Sequence, residues 1–378
     1  MIRTFILLLV GVVLMPMTVS CGETDATLEI RPSVNPISFL SEKVASDSQY
    51  EEASPGYAWV FPRDHGAHEA FRNEWWYVTG NLTDGGGAKY GFQLTIFRNG
   101  INRALHTRNT NWSVNNVYMG HFTITDIDSG QFYQHEKFSR DSLGLAGSSD
   151  TDLDVWIDNW FIRQNGESIN IAAASSDVRL QLNLKSIKPI VLQGDDGFSV
   201  KTSDGVGASH YYSISRMEAT GSITIGGIAR AINGLAWMDR EWSSSSLGEK
   251  HSGWDWFALH FADGSDLMYY SMRLADGGID VTSGGTFISK LGEVAKFDHD
   301  EVLVDILSYW TSPATNARYP SEWAIKVPHL GIDVQVEPMM ANQELQGVFR
   351  YWEGAVACSQ SDSASGNQCT GYVELTGY

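Results

Sequence analysis

Trp75-Trp76-Tyr77-Val78-Thr79-Gly80-Asn81-Leu82-Thr83-Asp84-Gly85 is answered 179 residues later by Trp254-Asp255-Trp256-Phe257-Ala258-Leu259-His260-Phe261-Ala262-Asp263-Gly264. Both stretches end in an Asp-Gly turn, and each leads into an apolar segment that closes on an arginine, Arg98 and Arg273. In the first copy Val78 to Leu82 passes through the Gly-rich Thr83 to Gly87 into Tyr90 to Arg98, the pattern of a β-hairpin. A repeat at this spacing means two similar β units, each about the size of one domain.

The rest of the chain agrees with strands. From Tyr57 onward it is rich in Trp, Tyr, Phe, Val, Ile and Gly and lacks a long helical period. Gly221 to Ile225, Ile228 to Trp237 and Tyr372 to Leu375 are further short apolar or alternating segments between turn residues. The sequence therefore predicts an all-β protein of two consecutive antiparallel β-barrels packed side by side, over residues 57–232 and 233–378.

The N-terminal region reads differently. Residues 1–20 carry one charge, Arg3, then the apolar run Phe5 to Met15 and small residues to Ser20, the pattern of a secretory signal peptide. Thr18-Val19-Ser20-Cys21 resembles a bacterial lipobox, which makes Cys21 the expected lipidation site, and Gly22 after it favours an outer-membrane lipoprotein on the periplasmic face of the envelope. Residues 21–56 are polar and read as a tether. With Cys21 lipidated, Cys358 and Cys369 are the thiols left, and in an exported chain they are expected to close the Ser/Gly-rich segment between them as a disulfide.

The chain holds 26 basic and 45 acidic residues; cleavage before Cys21 removes Arg3 and no acid, leaving 25 against 45, or −20. Nucleic acid is a poor partner for such a surface, since no Lys/Arg cluster offsets the repulsion of phosphates.

Two concentrated motifs can carry chemistry. Phe61-Pro62-Arg63-Asp64-His65-Gly66-Ala67-His68, followed by Phe71-Arg72-Asn73-Glu74-Trp75-Trp76-Tyr77, offers acids and bases at a strand entrance. The same residues also suit a plug, with Arg63 and Arg72 paired to Asp64 and Glu74 and the tryptophans as core. His65 and His68 alone do not make a metal site. In Trp237-Met238-Asp239-Arg240-Glu241-Trp242 and Trp254-Asp255-Trp256, three carboxylates are interleaved with tryptophans. A carboxyl against tryptophan in an apolar pocket holds its proton toward neutral pH, so Asp239 and Glu241 are the leading general-acid candidates, with Asp255 and Glu74 behind them. On an extended strand Asp239 and Glu241 share a face and Arg240 points away. The structural alternative pairs Arg240 with one of these acids. Trp237, Trp242, Trp254, Trp256, Trp76 and Tyr77 are the candidate ligand-binding aromatics. The sequence contains no Gly-Xaa-Ser-Xaa-Gly elbow, phosphate-binding loop or zinc signature, so a serine hydrolase is disfavoured and no metal or cofactor is called for.

These motifs, with His121-Phe122-Thr123-Ile124-Thr125-Asp126 and Gly371-Tyr372-Val373-Glu374-Leu375-Thr376-Gly377-Tyr378, resemble the AttH family over nearly the whole chain after Tyr57. Its members are often labelled predicted secreted hydrolases, and it is related to the carotenoid 1,2-hydratases. The resemblance implies two lipocalin-like domains, the first of carotenoid hydratase N-terminal type. Its relatives include enzymes that hydrate isoprenoid double bonds and proteins proposed to carry lipids. It thus implies an apolar isoprenoid-like or lipid ligand, with acid-assisted hydration or isomerisation as the expected chemistry. A non-catalytic accessory or lipid-carrier lipoprotein of an ABC-type transport system is the alternative. Fold transfers across such a resemblance more securely than chemistry.

Overall fold

Side chains alternate between the two faces of the strand Asn73–Asp84, yet buried residues stand on both faces and no residue is exposed. A strand buried on both faces must have a core on each side. The computed structural model describes residues 49–101, 114–205, 207–244, 247, 250–360 and 369–378; the expected signal peptide, Cys21 and most of the tether lie outside them.

Among the described residues, two antiparallel sheets of thirteen and ten strands account for the fold, the first curled into a nearly closed barrel and the second into a half-barrel. The first sheet places Asn73–Asp84 between Lys89–Gly100 and Ile228–Ser243, and Ile228–Ser243 beside Ala208–Ile225. The predicted hairpin is present, with Thr83 opposite Lys89. Asp84 Oδ1 stabilises its turn by accepting from the amides of Gly86 and Ala88 at 2.8 and 3.0 Å. Gly226 and Gly227, at φ +57° and +81°, form the two-residue turn that joins Ala208–Ile225 to Ile228–Ser243, a geometry that favours glycine at both positions. Where Lys137 of Gln131–Arg140 lies 4.7 Å over the ring of Trp160, the two ends of the curled sheet meet.

In the second sheet His251–Phe261 lies between Asp266–Leu274 and Cys369–Thr376, which in turn pairs with Arg350–Gln360. Cys358 and Cys369 are register partners in that last ladder and are joined as a disulfide, Cα atoms 4.9 Å apart. The two strands of the sequence repeat, Asn73–Asp84 and His251–Phe261, thus stand at equivalent places in the two sheets.

Two boundaries differ from the sequence reading. The strand Ile228–Ser243 belongs to the first sheet along its whole length, so the passage between sheets falls after Ser243 and not at 232/233, where a continuous strand leaves no break. At the other end, Tyr50 is buried and the amide of Glu51 donates to the carbonyl of Ala70, so the end of the tether is already packed on the first barrel.

Among the described residues, the three largest apolar clusters organise the interior. One fills the first barrel around Trp76, Phe122, Trp160 and Trp242, and a second fills the half-barrel around Phe257, Trp323 and Trp352. The third, with Tyr77, Tyr211, Trp237, Trp256, Ala355 and Tyr372, lies between the outer faces of the two sheets. Gly91 marks how closely the sheets approach, because a Cβ there would sit 2.7 Å from the Cβ of Ala355.

Candidate functional site

Because successive side chains alternate, each central strand gives one set of residues to a barrel interior and the other to the space between the barrels. Trp75 and Tyr77, Asp239 and Glu241, Trp254 and Trp256, and Glu374 all take the outward parity. They meet in a cleft of about 170 Å³ lined mainly by apolar side chains. Tyr77 and Trp256, equivalent in the sequence repeat, pack edge to face there with ring centroids 5.2 Å apart.

Asp239 is a buried acid of the cleft. Tyr211 Oη donates to its Oδ2 at 2.5 Å, while Ser213 Oγ and Trp237 Nε1 donate to its Oδ1 at 2.5 and 2.6 Å. Trp256 Nε1 in turn donates to Tyr211 Oη at 3.2 Å, so tryptophans from both sheets anchor this network. Burial pushes the Asp239 carboxyl up to about 6 against these three donors, with the nearby charge of Glu241 adding to the rise. Glu241 stands two residues on along the same face. It accepts from Ser209 Oγ and lies 3.1 Å from Lys201 Nζ, which also rests 4.7 and 4.8 Å over the rings of Tyr211 and Tyr270.

The opposite wall supplies Glu374, whose Oε1 accepts from Trp254 Nε1 at 2.9 Å. Burial between the sheets, with Asp239 and Glu241 nearby, pushes its carboxyl up to about 8 despite that bond. Behind it Glu353 accepts from Tyr77 Oη at 2.5 Å, and burial with the charge of Glu374 holds its carboxyl far above the ordinary range. The cleft therefore combines an aromatic lining with acids that keep protons at or near neutral pH, a combination suited to giving a proton to an apolar substrate.

The other sequence candidates, Trp237 excepted, take the inward parity. Glu74 lies inside the first barrel, paired with Arg98 and, at 2.7 Å, with Arg240. Although burial opposes its charge, Arg98 and then Arg240 hold its carboxyl well below the usual range. Trp76 and Trp242 belong to the same interior, with Arg240 3.8 Å over the Trp76 ring and His68 stacked at 3.6 Å on Trp242. Arg240 does point away from Asp239 and Glu241, and its acidic partner is Glu74 rather than either of them. The plug is found in part: Arg63 pairs with the buried Asp64 at 2.7 Å, but the arginines paired with Glu74 are Arg98 and Arg240 and not Arg72. Asp255 turns into the half-barrel, 3.0 Å from Arg273 Nε and accepting from Tyr378 Oη. Trp237 sits beneath the cleft as a donor to Asp239 and is not part of its lining.

Sequence reasoning missed Glu374, Glu353, Tyr211, Tyr351 and His121 as site residues. A signal existed for Glu374, an acid in the apolar strand Gly371 to Leu375 with the same parity as Tyr372.

The sequence pattern of the family described as AttH-like matches residues 52–378. The chain is similar to a solved structure assigned to AttH from Nitrosomonas europaea, at 32% identity and a TM-score of 0.78, over 87% of this chain and 99% of that one. The solved kievitone hydratase from Nectria haematococca is similar in fold, at 16% identity and a TM-score of 0.66, over 84% of this chain and 92% of that one. A comparison with curated proteins finds no match.

Proposed function

The chain belongs to the AttH-like family, and from that premise we propose that its inter-barrel cleft binds an apolar, alkene-bearing molecule of isoprenoid or lipid type and adds a proton to it from Asp239. The observation that carries this reading is Asp239 itself, a buried acid fixed by Tyr211, Ser213 and Trp237 at an aromatic cleft, its carboxyl raised to about 6. A general acid works best when its pKa lies near the working pH. Protonation gives a carbocation, which water captures in hydration or which loses a neighbouring proton in isomerisation. The aromatic faces of Trp75, Tyr77 and Trp256 suit such a cation. The fold shared with kievitone hydratase supports a hydratase-like scaffold.

The test uses farnesol in water labelled with heavy oxygen, with binding followed by tryptophan fluorescence and product by mass spectrometry. The parent should take up one labelled oxygen per molecule. Asp239→Asn should keep its melting temperature and most of its affinity while turnover falls roughly 100-fold or more. Binding with no label uptake and no proton exchange in the parent would replace this reading with that of a carrier serving an export system.

We infer further that the mature chain is lipidated at Cys21 and held at the periplasmic face of the envelope. The leader-like residues 1–20 support this, as does the Cys358–Cys369 disulfide, a bond that persists in oxidising compartments. A Cys21→Ser chain that stayed with the membrane fraction would refute the anchor.

A further inference from the structure

The cleft has a second titratable wall that the acid step leaves unused. Tyr351, from the strand Arg350–Gln360 of the half-barrel, lines the cleft, and its Oη lies 2.6 Å from Nδ1 of His121. His121 comes from Asn116–Asp126 of the first barrel and is almost fully buried; its Nε2 lies 3.1 Å from Glu136 Oε1 on the neighbouring strand Gln131–Arg140. Glu136 borders a separate pocket of about 130 Å³ lined also by Gln134, His135, Gln346 and Gly347. His121 and Phe349 line both spaces.

The hydrogen bonds give the chain of groups a direction. The amide of Val348 donates to the Glu136 carboxylate at 3.0 Å. Gly347 allows that loop to come close, since a Cβ there would lie 2.5 Å from Glu136 Oε1. Burial pushes the Glu136 carboxyl up, but the bonds from His121 and Val348 outweigh it and hold Glu136 below the ordinary range. An ionised carboxylate only accepts, so His121 must donate from Nε2–H, and in the neutral imidazole this leaves Nδ1 as an acceptor for the hydroxyl of Tyr351. Gln93 Nε2 donates to Tyr351 Oη at 3.2 Å, which leaves the Tyr351 proton for His121.

We propose that Tyr351, His121 and Glu136 form a proton relay from the cleft to the second pocket and supply the base side of the reaction proposed for the cleft. This rests on the reading of Asp239 as the acid. Asp239 gives its proton to one alkene carbon, and the oxygen of a water bonds to the resulting cation. A proton of that water passes to Tyr351 Oη as the Tyr351 proton passes to His121 Nδ1, leaving an imidazolium paired with the Glu136 carboxylate. The relay then loses one proton to solvent through the second pocket, and Asp239 regains one from solvent. One water is consumed per double bond, with no change in oxidation state. Tyr351 is the group that touches the reacting water; His121 and Glu136 act through it as positioning residues.

Nitrogen-15 NMR of the histidine side chains in the full chain tests the geometry without any substrate. His121 should carry its proton on Nε2 in the parent, and Tyr351→Phe should shift the Nδ1 resonance. A proton found on Nδ1 overturns the relay. With farnesol in deuterated, oxygen-labelled water, Tyr351→Phe, His121→Asn and Glu136→Gln should leave KM nearly unchanged and still place deuterium on the alkene carbon. Label uptake by the first two should fall roughly 100-fold, so that products shift from alcohol toward isomerised alkene. Glu136→Gln should show the same shift to a smaller extent. Melting temperatures identify any variant that fails to fold, and the remaining variants then decide. If Tyr351→Phe and His121→Asn hydrate at the parental rate while Asp239→Asn does not, the relay fails and the acid assignment stands. If the parent neither hydrates nor exchanges, both fail.

Discussion

Glu353 and Glu374 stand directly opposite one another in the ladder between Arg350–Gln360 and Cys369–Thr376. Both side chains take the parity that faces the seam between the barrels. Burial raises both carboxyls, with the charge of Glu374 adding to the rise at Glu353 and those of Asp239 and Glu241 adding to it at Glu374, so both hold their protons above the ordinary range.

That pair predicts how stability depends on pH. A carboxyl whose pKa is raised by folding binds its proton more tightly in the folded than in the unfolded chain. Between the ordinary carboxyl value and the raised one the folded state holds more protons, and its stability falls as pH rises. For Glu374 the window runs from about 4.5 to about 8. His65 and His210, lowered to about 4, chiefly by burial, have the opposite slope between 4 and 6.5, so the informative quantity is a difference between variant and parent. Relative to the parent, Glu374→Gln should gain stability of order 2 kcal/mol between pH 5 and pH 8. Urea unfolding at the two pH values measures it, and a difference independent of pH would refute the raised carboxyl.

The Glu74 cluster predicts a structural phenotype at a residue adjacent in sequence to the acid. Arg240 is fully buried; besides Glu74 it donates to the carbonyls of His65 and Trp75 at 3.3 and 3.2 Å. Arg240→Met should cost about 3–5 kcal/mol, because it strands part of a buried charge. Adding Glu74→Gln should recover part of that loss only if Arg98, left without its partner, is tolerated by Asn116 and the Phe71 carbonyl, which accept from it at 2.8 Å each. Calorimetric melting of the single and double variants reads the coupling. A melting temperature unchanged in Arg240→Met would show that the pair contributes little.

Docking of the barrels can be tested at Gly91. Any side chain there meets Ala355 from the other sheet, so Gly91→Val should destabilise by about 1–3 kcal/mol. Ala355→Gly should relieve much of the cost in the double variant. Additive effects in this cycle would mean that the two sheets are not in contact at this point.

The sequence by itself determined the strands, their hairpin at Val78 to Arg98, the repeat that makes two β units, and the shared face of Asp239 and Glu241. All of these depend on local rules, the period of two and the chemistry of turns, which act over a few residues. It also held the parity that separates Trp75, Tyr77, Asp239 and Glu241 from Glu74, Trp76, Arg240 and Trp242, read beforehand only for Asp239, Arg240 and Glu241. Parity sorts side chains into two sets but does not say which set faces the barrel interior. Normally a polar face marks the outside; here both faces of Asn73–Asp84 and of the second half of Ile228–Ser243 are buried, one in the barrel and one against the other sheet, so that mark is erased. Only the tertiary structure decided that the acids belong to the seam. It alone brought Tyr77 to Glu353, 276 residues apart, and His121 to Tyr351, 230 residues apart, because such pairs are fixed by the registers of the two curled sheets and by how their outer faces dock.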